Sequence, residues 1–297
     1  MQQRFKSPAV AALTLLVSAL SACGGDGGSS GGGTPTASVT SMSVNATKYY
    51  APATITINGA GLDSTLVVSS SVCANAALQS GSTATTATYT CTVSGGLTGT
   101  VVAKSNGTQV GSATLTVPSP IVRMAVNNGL SVVGNIDITL RPDKAPKTVD
   151  NFLHYVTTGF YNNTIFHRYV PAFVLQGGGY APQVTDITTA TPKAGLFAPI
   201  AVEQSGLSNV TWSIAMANAN NPPSVDSITT TSQFFFNLDE DTSLDGFYSV
   251  FGSITAGTTV VQAVFNAPKN CVTNQAASTT DCLPTPNVVV TTATQIQ

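Results

Sequence analysis

The sequence predicts a mainly β protein in two units: a small immunoglobulin-like β-sandwich, then a closed β-barrel whose ends are plugged by two helices. Three observations lead there. Short runs alternating apolar with Thr or Ser residues fill the chain from about Ala37 onward. Gly- and Asn-containing turn signals separate many of them. Only two segments carry the period of an amphipathic helix, both in the second unit. Composition agrees: 297 residues at 42% hydrophobic leave room for two cores, while the 8% charged residues give way to Thr, Ser, Ala, Val and Gly. That mix suits solvent-facing strands outside the cell. The net charge is −2, with no basic run past the first few residues, which excludes a nucleic-acid footprint.

The first residues read as a processing segment rather than fold. Arg4 and Lys6 precede an apolar run, Ala9 to Leu20, shorter than the ~20 residues a membrane-spanning helix needs. It ends in Leu20-Ser21-Ala22-Cys23, which resembles the lipobox of bacterial lipoproteins. The resemblance implies a signal peptide over 1–22, acylation of Cys23 and a membrane contact made only through that lipid. Gly24 after the cysteine favours the outer membrane, facing the periplasm. The alternative is an ordinary cleaved signal peptide. Residues 23–36, rich in Gly and Ser, carry too little apolar surface to offset their ordering entropy and read as a tether.

Five cysteines leave four once Cys23 is assigned to lipid. Cys73 and Cys91 fall in the first folded unit, Cys271 and Cys282 near the end, and each pair can close a local bridge in an oxidising compartment. The alternative is four buried thiols. No Cys-x-x-Cys pair occurs and there are two histidines, so zinc and thioredoxin-type chemistry lack their ligands. No cofactor is expected.

Over 37–117 the alternation is carried by Ala53 to Ile57, Thr88 to Val93 and Ala113 to Val117, with turn signals at Asn58-Gly59, Gly95-Gly96 and Asn106-Gly107. This is the expected sandwich, a spacer or interaction module. Pro118-Ser119-Pro120 reads as a linker. From residue 121 to 297 the pattern changes. Gly134 to Leu140 alternates as a strand. Pro146 opens a helix with Val149, Phe152, Leu153 and Val156 on one face, closed by Gly159. A second helix is predicted from Thr258 to Phe265, with Val260, Val261, Val264 and Phe265 inward.

The run from Gly159 to Gly179, containing Phe166-His167-Arg168 and Phe173-Val174-Leu175-Gln176-Gly177-Gly178, resembles the signature segment of cyclophilins, the peptidyl-prolyl isomerases. Ser213 to Asn218, Ser232 to Phe235, and Leu244-Asp245-Gly246 leading to Val250-Phe251-Gly252 match in order. The resemblance covers about Ile121 to Thr294. It implies a cyclophilin-like barrel and isomerisation of X-Pro bonds in exported polypeptides. Arg168 is then the catalytic residue, donating to the prolyl nitrogen of a twisted amide. Phe173, Val174, Phe235, Leu244 and Tyr248 wall the proline pocket, Gln176 holds the substrate backbone, and Asn218 and Gln233 line the neighbouring groove. Tyr248 stands where eukaryotic members have His, and Ser243 where many have an aromatic rim residue, which implies a looser grip. The competing function is a catalytically weak module that binds Pro-containing segments as a chaperone or adhesion component. A hydrolase is disfavoured, because outside the Gly/Ser-rich tether no Gly-x-Ser-x-Gly elbow occurs. His167 reads as structural, His154 as ordinary surface, and the sequence is silent on oligomeric state.

Overall fold

The structure, a computed structural model, describes residues 37–220, 223–226, 228–274 and 279–297. The expected signal peptide, the tether and Cys23 lie outside the described residues.

The first unit consists of β1 (Ser38–Asn45), β2 (Pro52–Ala60), β3 (Leu66–Ser70), β4 (Cys73–Leu78), β5 (Thr86–Val93), β6 (Thr98–Ser105) and β7 (Thr108–Thr116). Two antiparallel sheets form, in the orders β1-β2-β5-β4 and β3-β6-β7. The period-two pattern does what it predicts: Ile55, Ile57, Tyr89, Val93, Val101, Ala103 and Leu115 are buried. The Tyr89 hydroxyl, itself buried, donates to the Leu66 carbonyl at 2.6 Å and ties one sheet to the other. Asn106-Gly107 makes the two-residue β6–β7 hairpin, with φ of 50° and 80°. Asn58-Gly59, expected as a turn, instead lies inside β2, where β1 carries a bulge between Val39 and Ser41. A Cβ on Gly59 would collide with the Ser38 carbonyl, so the glycine serves close strand approach rather than reversal. Cys73 and Cys91 are bridged between neighbouring strands of one sheet, Cα atoms 5.5 Å apart.

The second unit consists of β8 (Ile121–Asn127), β9 (Val133–Leu140), α1 (Pro146–Thr157), β10 (Thr164–Val170), β11 (Val174–Gly177), β12 (Ser213–Met216), β13 (Phe234–Asn237), β14 (Val250–Ala256), α2 (Thr258–Asn266), β15 (Lys269–Asn274), β16 (Thr279–Pro284) and β17 (Val288–Gln295). The order β8-β9-β14-β12-β13-β11-β10-β17 returns to β8, every pair antiparallel, so the sheet closes into a barrel. Closure leaves no free edge in that ring. The hairpin β15–β16 stands outside it, attached to β10 by the pair Tyr169–Cys282 and bridged at Cys271–Cys282.

Helix α1 begins at Pro146 and stops before Gly159, which takes φ of 72°. It buries Val149, Phe152, Leu153 and Val156 as its spacing predicts and packs against β17; α2 buries Val261 and Val264 and packs against β9.

The sandwich does not hang from its linker. A continuous apolar cluster runs through both units. Tyr49, wholly buried, donates its hydroxyl to Asp150 of α1 at 2.5 Å and accepts from the Gly95 amide at 2.9 Å. Tyr50 meets His154 Nδ1 at 3.0 Å, and the His154 ring stands edge-on to Phe197 at 4.0 Å between centroids. His154 is therefore a docking point and not ordinary surface. The helical pattern gave it the outer face, but the first unit covers that face.

Candidate active site

Alternation along the barrel strands sorts side chains into two sets. On β13, Phe234 and Phe236 enter the main core while Phe235 points the other way; on β12, Ile214 and Met216 go in and Ala215 out. Together with Val170, Val174 and Val250, Phe235 and Ala215 form a second apolar cluster on the barrel's outer face.

Strand β10 would break that scheme if it were regular, because Phe166 and Arg168 would share one face. Pairing with β11 shifts by a residue between them: Phe166 faces Gly177, but Arg168 faces Gln176 and Val170 faces Val174. The bulge sits at His167. It keeps Phe166 and Tyr169 in the main core and turns Arg168 out beside the second cluster. A second bulge, between β12 and β14, keeps Phe251 in the core and leaves Val250 in the outer cluster. The tight β10–β11 turn, with Ala172 at φ of 53°, brings Phe173 over so that the guanidinium carbon of Arg168 lies 6.0 Å from its ring centroid.

Phe173, Leu244 and Tyr248 are half-buried around the cluster, and Tyr248 stands edge-on to Phe235 at 5.3 Å. Burial raises the Tyr248 hydroxyl pKa above its ordinary value, the nearby Arg168 charge acting the other way, so it stays a neutral wall. Ser243 lies in a short turn of helix over Thr242–Leu244, its hydroxyl on Asp241 at 2.5 Å.

The polar side is a chain of side chains. Arg168 Nη1 donates to Gln176 Oε1 at 3.4 Å, and Gln176 Nε2 donates to Gln233 Oε1 at 2.9 Å. Gly178 and Gly179 make room for this: a Cβ on Gly179 would lie 2.7 Å from the Gln233 side chain, and Gly178 has φ of 81°. Asn218 uses its side chain to accept from the Thr229 hydroxyl at 2.9 Å and the Asn220 amide at 2.9 Å, fastening the segment after β12. His167 is buried, with its pKa pushed down to about 4 by desolvation and, further, by the Arg168 charge; it is neutral at pH 7.

Of the nine expected site residues, Phe173, Val174, Phe235, Leu244 and Tyr248 gather in or against the second apolar cluster. Arg168, Gln176 and Gln233 form the polar chain beside it, and Asn218 engages the segment after β12 rather than any of these. Two neighbours were missed from sequence. Leu207 packs against the apolar cluster from the long segment between β11 and β12, and Asp281 of β16 accepts from Arg168 Nη2 at 3.1 Å. Neither lies in a matching motif. Asp281 is separated from Arg168 by 113 positions, with no local pattern to announce the pairing.

The family model for cyclophilin-type peptidyl-prolyl cis-trans isomerases matches residues 121–295. The chain belongs to the cyclophilin family. It is an enzyme of the peptidyl-prolyl cis-trans isomerase class. A peptidyl-prolyl cis-trans isomerase of Acinetobacter baylyi is 42% identical over 142 residues, covering 46% of this chain and 69% of that protein. Isomerase B of Escherichia coli is 40% identical over 139 residues, covering 44% and 78%. A cyclophilin-type isomerase structure from Cryptosporidium parvum aligns with a TM-score of 0.47 at 23% identity, over 61% of this chain and 99% of that one. The family match starts at residue 121, so strands β1 to β7 of this cyclophilin lie outside it.

Proposed function

We propose that this cyclophilin accelerates rotation about X-Pro bonds by holding the proline ring on the Phe173–Phe235–Tyr248 wall while Arg168 donates to the prolyl nitrogen. The observation that carries this reading is the bulge that turns the Arg168 guanidinium out beside that wall. Amide resonance sets a barrier of ~18–20 kcal/mol, and the two isomers differ by only about 0.5–1 kcal/mol. No bond is made or broken, so neither nucleophile nor cofactor is called for. What lowers the barrier is tighter binding of the twisted amide than of either planar form. Twisting returns the lone pair to nitrogen, which becomes a hydrogen-bond acceptor. A fixed cationic donor stabilises that state and gains little from the planar ones. Apolar walls anchor the ring at low entropic cost, and the Gln176–Gln233 pair offers polar groups to the substrate backbone.

The clients are Pro-containing segments of exported polypeptides. Supporting an exported location are two disulfides, which persist in oxidising compartments. We read residues 1–22 as a lipoprotein signal peptide, Cys23 as acylated, 23–36 as a tether and 37–117 as a spacer module preceding the isomerase unit at 121–297. Outer-membrane attachment facing the periplasm follows from Gly24. Mass spectrometry after expression in a bacterial host is expected to find Cys23 acylated at the mature N-terminus; an unmodified Cys23 removes the anchor.

A protease-coupled assay on short X-Pro peptides tests the enzymatic reading. Acceleration well above the spontaneous rate supports it. Saturable peptide binding without acceleration favours a Pro-segment binding module instead.

A further inference from the structure

The guanidinium of Arg168 stands between two spaces. On one side is the apolar cluster. On the other is a cavity of about 460 Å³, walled by the segment around Asp186–Thr188 and by the β15–β16 hairpin through Asn270, Val272 and Asp281. A flexible arginine facing so large a space would swing into it unless held. Gln176 is one hold, at a long 3.4 Å. The shorter, charge-assisted contact is to Asp281 Oδ1 at 3.1 Å, and both side chains are largely sheltered, 26% and 21% exposed.

Where Asp281 stands depends on the hairpin. Asp281 precedes Cys282 in β16 and pairs across with Val272, while Cys282 pairs across with Cys271 and is bridged to it, Cα atoms 4.0 Å apart. Among the described residues the hairpin pairs in register with the barrel at Tyr169–Cys282, one residue from Arg168 on one strand and one from Asp281 on the other. The bridge thus lies at the junction through which the carboxylate is presented.

We infer that Asp281 is a positioning residue for Arg168, and that the Cys271–Cys282 bridge fixes the hairpin from which it acts. This rests on the reading of Arg168 as donor to the twisted amide. Asp281 fastens one edge of the guanidinium and leaves the remaining N–H groups for the substrate. The effect belongs to the rate of the bound complex more than to its formation, because the proline ring is held by other residues.

The test is a cycle on the full mature chain, with saturation kinetics on an X-Pro peptide. Asp281→Ala is expected to lower kcat roughly tenfold with KM little changed, the scale of a small misplacement of a catalytic group. Asp281→Asn, which keeps an oxygen acceptor, recovers part of that loss. Replacing both Cys271 and Cys282 by Ser lowers kcat in the same direction in the wild type and has no further effect in the Asp281→Ala background. Arginine side-chain Nε–H relaxation by NMR is expected to show Arg168 more mobile in Asp281→Ala. Wild-type kcat in Asp281→Ala, a loss confined to KM, or an undiminished serine effect in the Ala background each overturn the inference. If wild type itself gives no acceleration, the isomerase reading fails separately, and an Arg168 Nε–H order unchanged by Asp281→Ala then overturns this one.

Discussion

Replacing Arg168 by Lys separates the charge of the site from its shape. Guanidinium carries five donors in a rigid fork, whereas an ammonium is a compact point charge on a flexible stem. In the wild type one Nη atom reaches Gln176 at 3.4 Å and the other reaches Asp281 at 3.1 Å, so two edges are held at once. A lysine ammonium satisfies the carboxylate first, since that contact is the charged one, and is drawn toward the hairpin side of the site. The donor to the prolyl nitrogen is then lost although the charge remains. A hydrogen bond involving a charged group contributes about 1.5–3 kcal/mol, which converts to a loss of roughly 10- to 150-fold in kcat/KM. Stability is expected to shift by less than about 1 kcal/mol, because the lysine ammonium keeps a charged contact to Asp281 and leaves no unpaired carboxylate behind. The assay is protease-coupled isomerisation of an Ala-Pro peptide, repeated by NMR exchange without protease, with circular dichroism as the fold control. A lysine variant within threefold of wild type would falsify the fork argument, leaving positive charge alone as the requirement.

Two further predictions concern the frame. Tyr49→Phe removes the hydroxyl that serves both Asp150 and the Gly95 amide in the contact between the two units, where Tyr49 has no exposed surface. Unfolding free energy is expected to fall by about 2–4 kcal/mol, measured by urea titration, with isomerase rate unchanged; no loss of stability refutes the docking role. Acid dependence is set by opposing groups. His167 has a folded pKa of about 4, below its unfolded value, so its contribution is complete above about 6.5 and falls by about 3 kcal/mol as pH drops toward 4. Asp150, raised to about 6 by burial, acts in the other sense: its contribution is present at low pH and is lost as pH climbs through about 6. Asp150→Asn is therefore expected to make stability rise more steeply from pH 4 to pH 7 than in wild type, and equal slopes in urea unfolding would refute this assignment.

What was legible in the sequence is what travels with local pattern. Pro146 and Gly159 bracket α1 because one lacks an amide the helix does not need and the other reaches a conformation other residues avoid. Alternating residues marked β2, β5 and β7, and the Phe173 to Gly179 segment marked the site, since those residues are neighbours along the chain. Asn58-Gly59 misled because glycine answers two needs, a reversal and a close approach, and only pairing with β1 tells them apart.

By itself the sequence determined the two β units, the two helices, the family and the residue types that gather beside Arg168. Those follow from periodicity, turn chemistry and motifs, all of them short-range along the chain. Only tertiary structure decided that Arg168 faces outward. Strict alternation would have put it with Phe166, and the shift at His167 exists only in the pairing of β10 with β11. Tertiary structure alone also joined Asp281 to Arg168 and covered His154 with Tyr50. Contacts spanning 104 and 113 positions leave no trace in local spacing, because their geometry is set by strands and helices whose docking no single segment encodes.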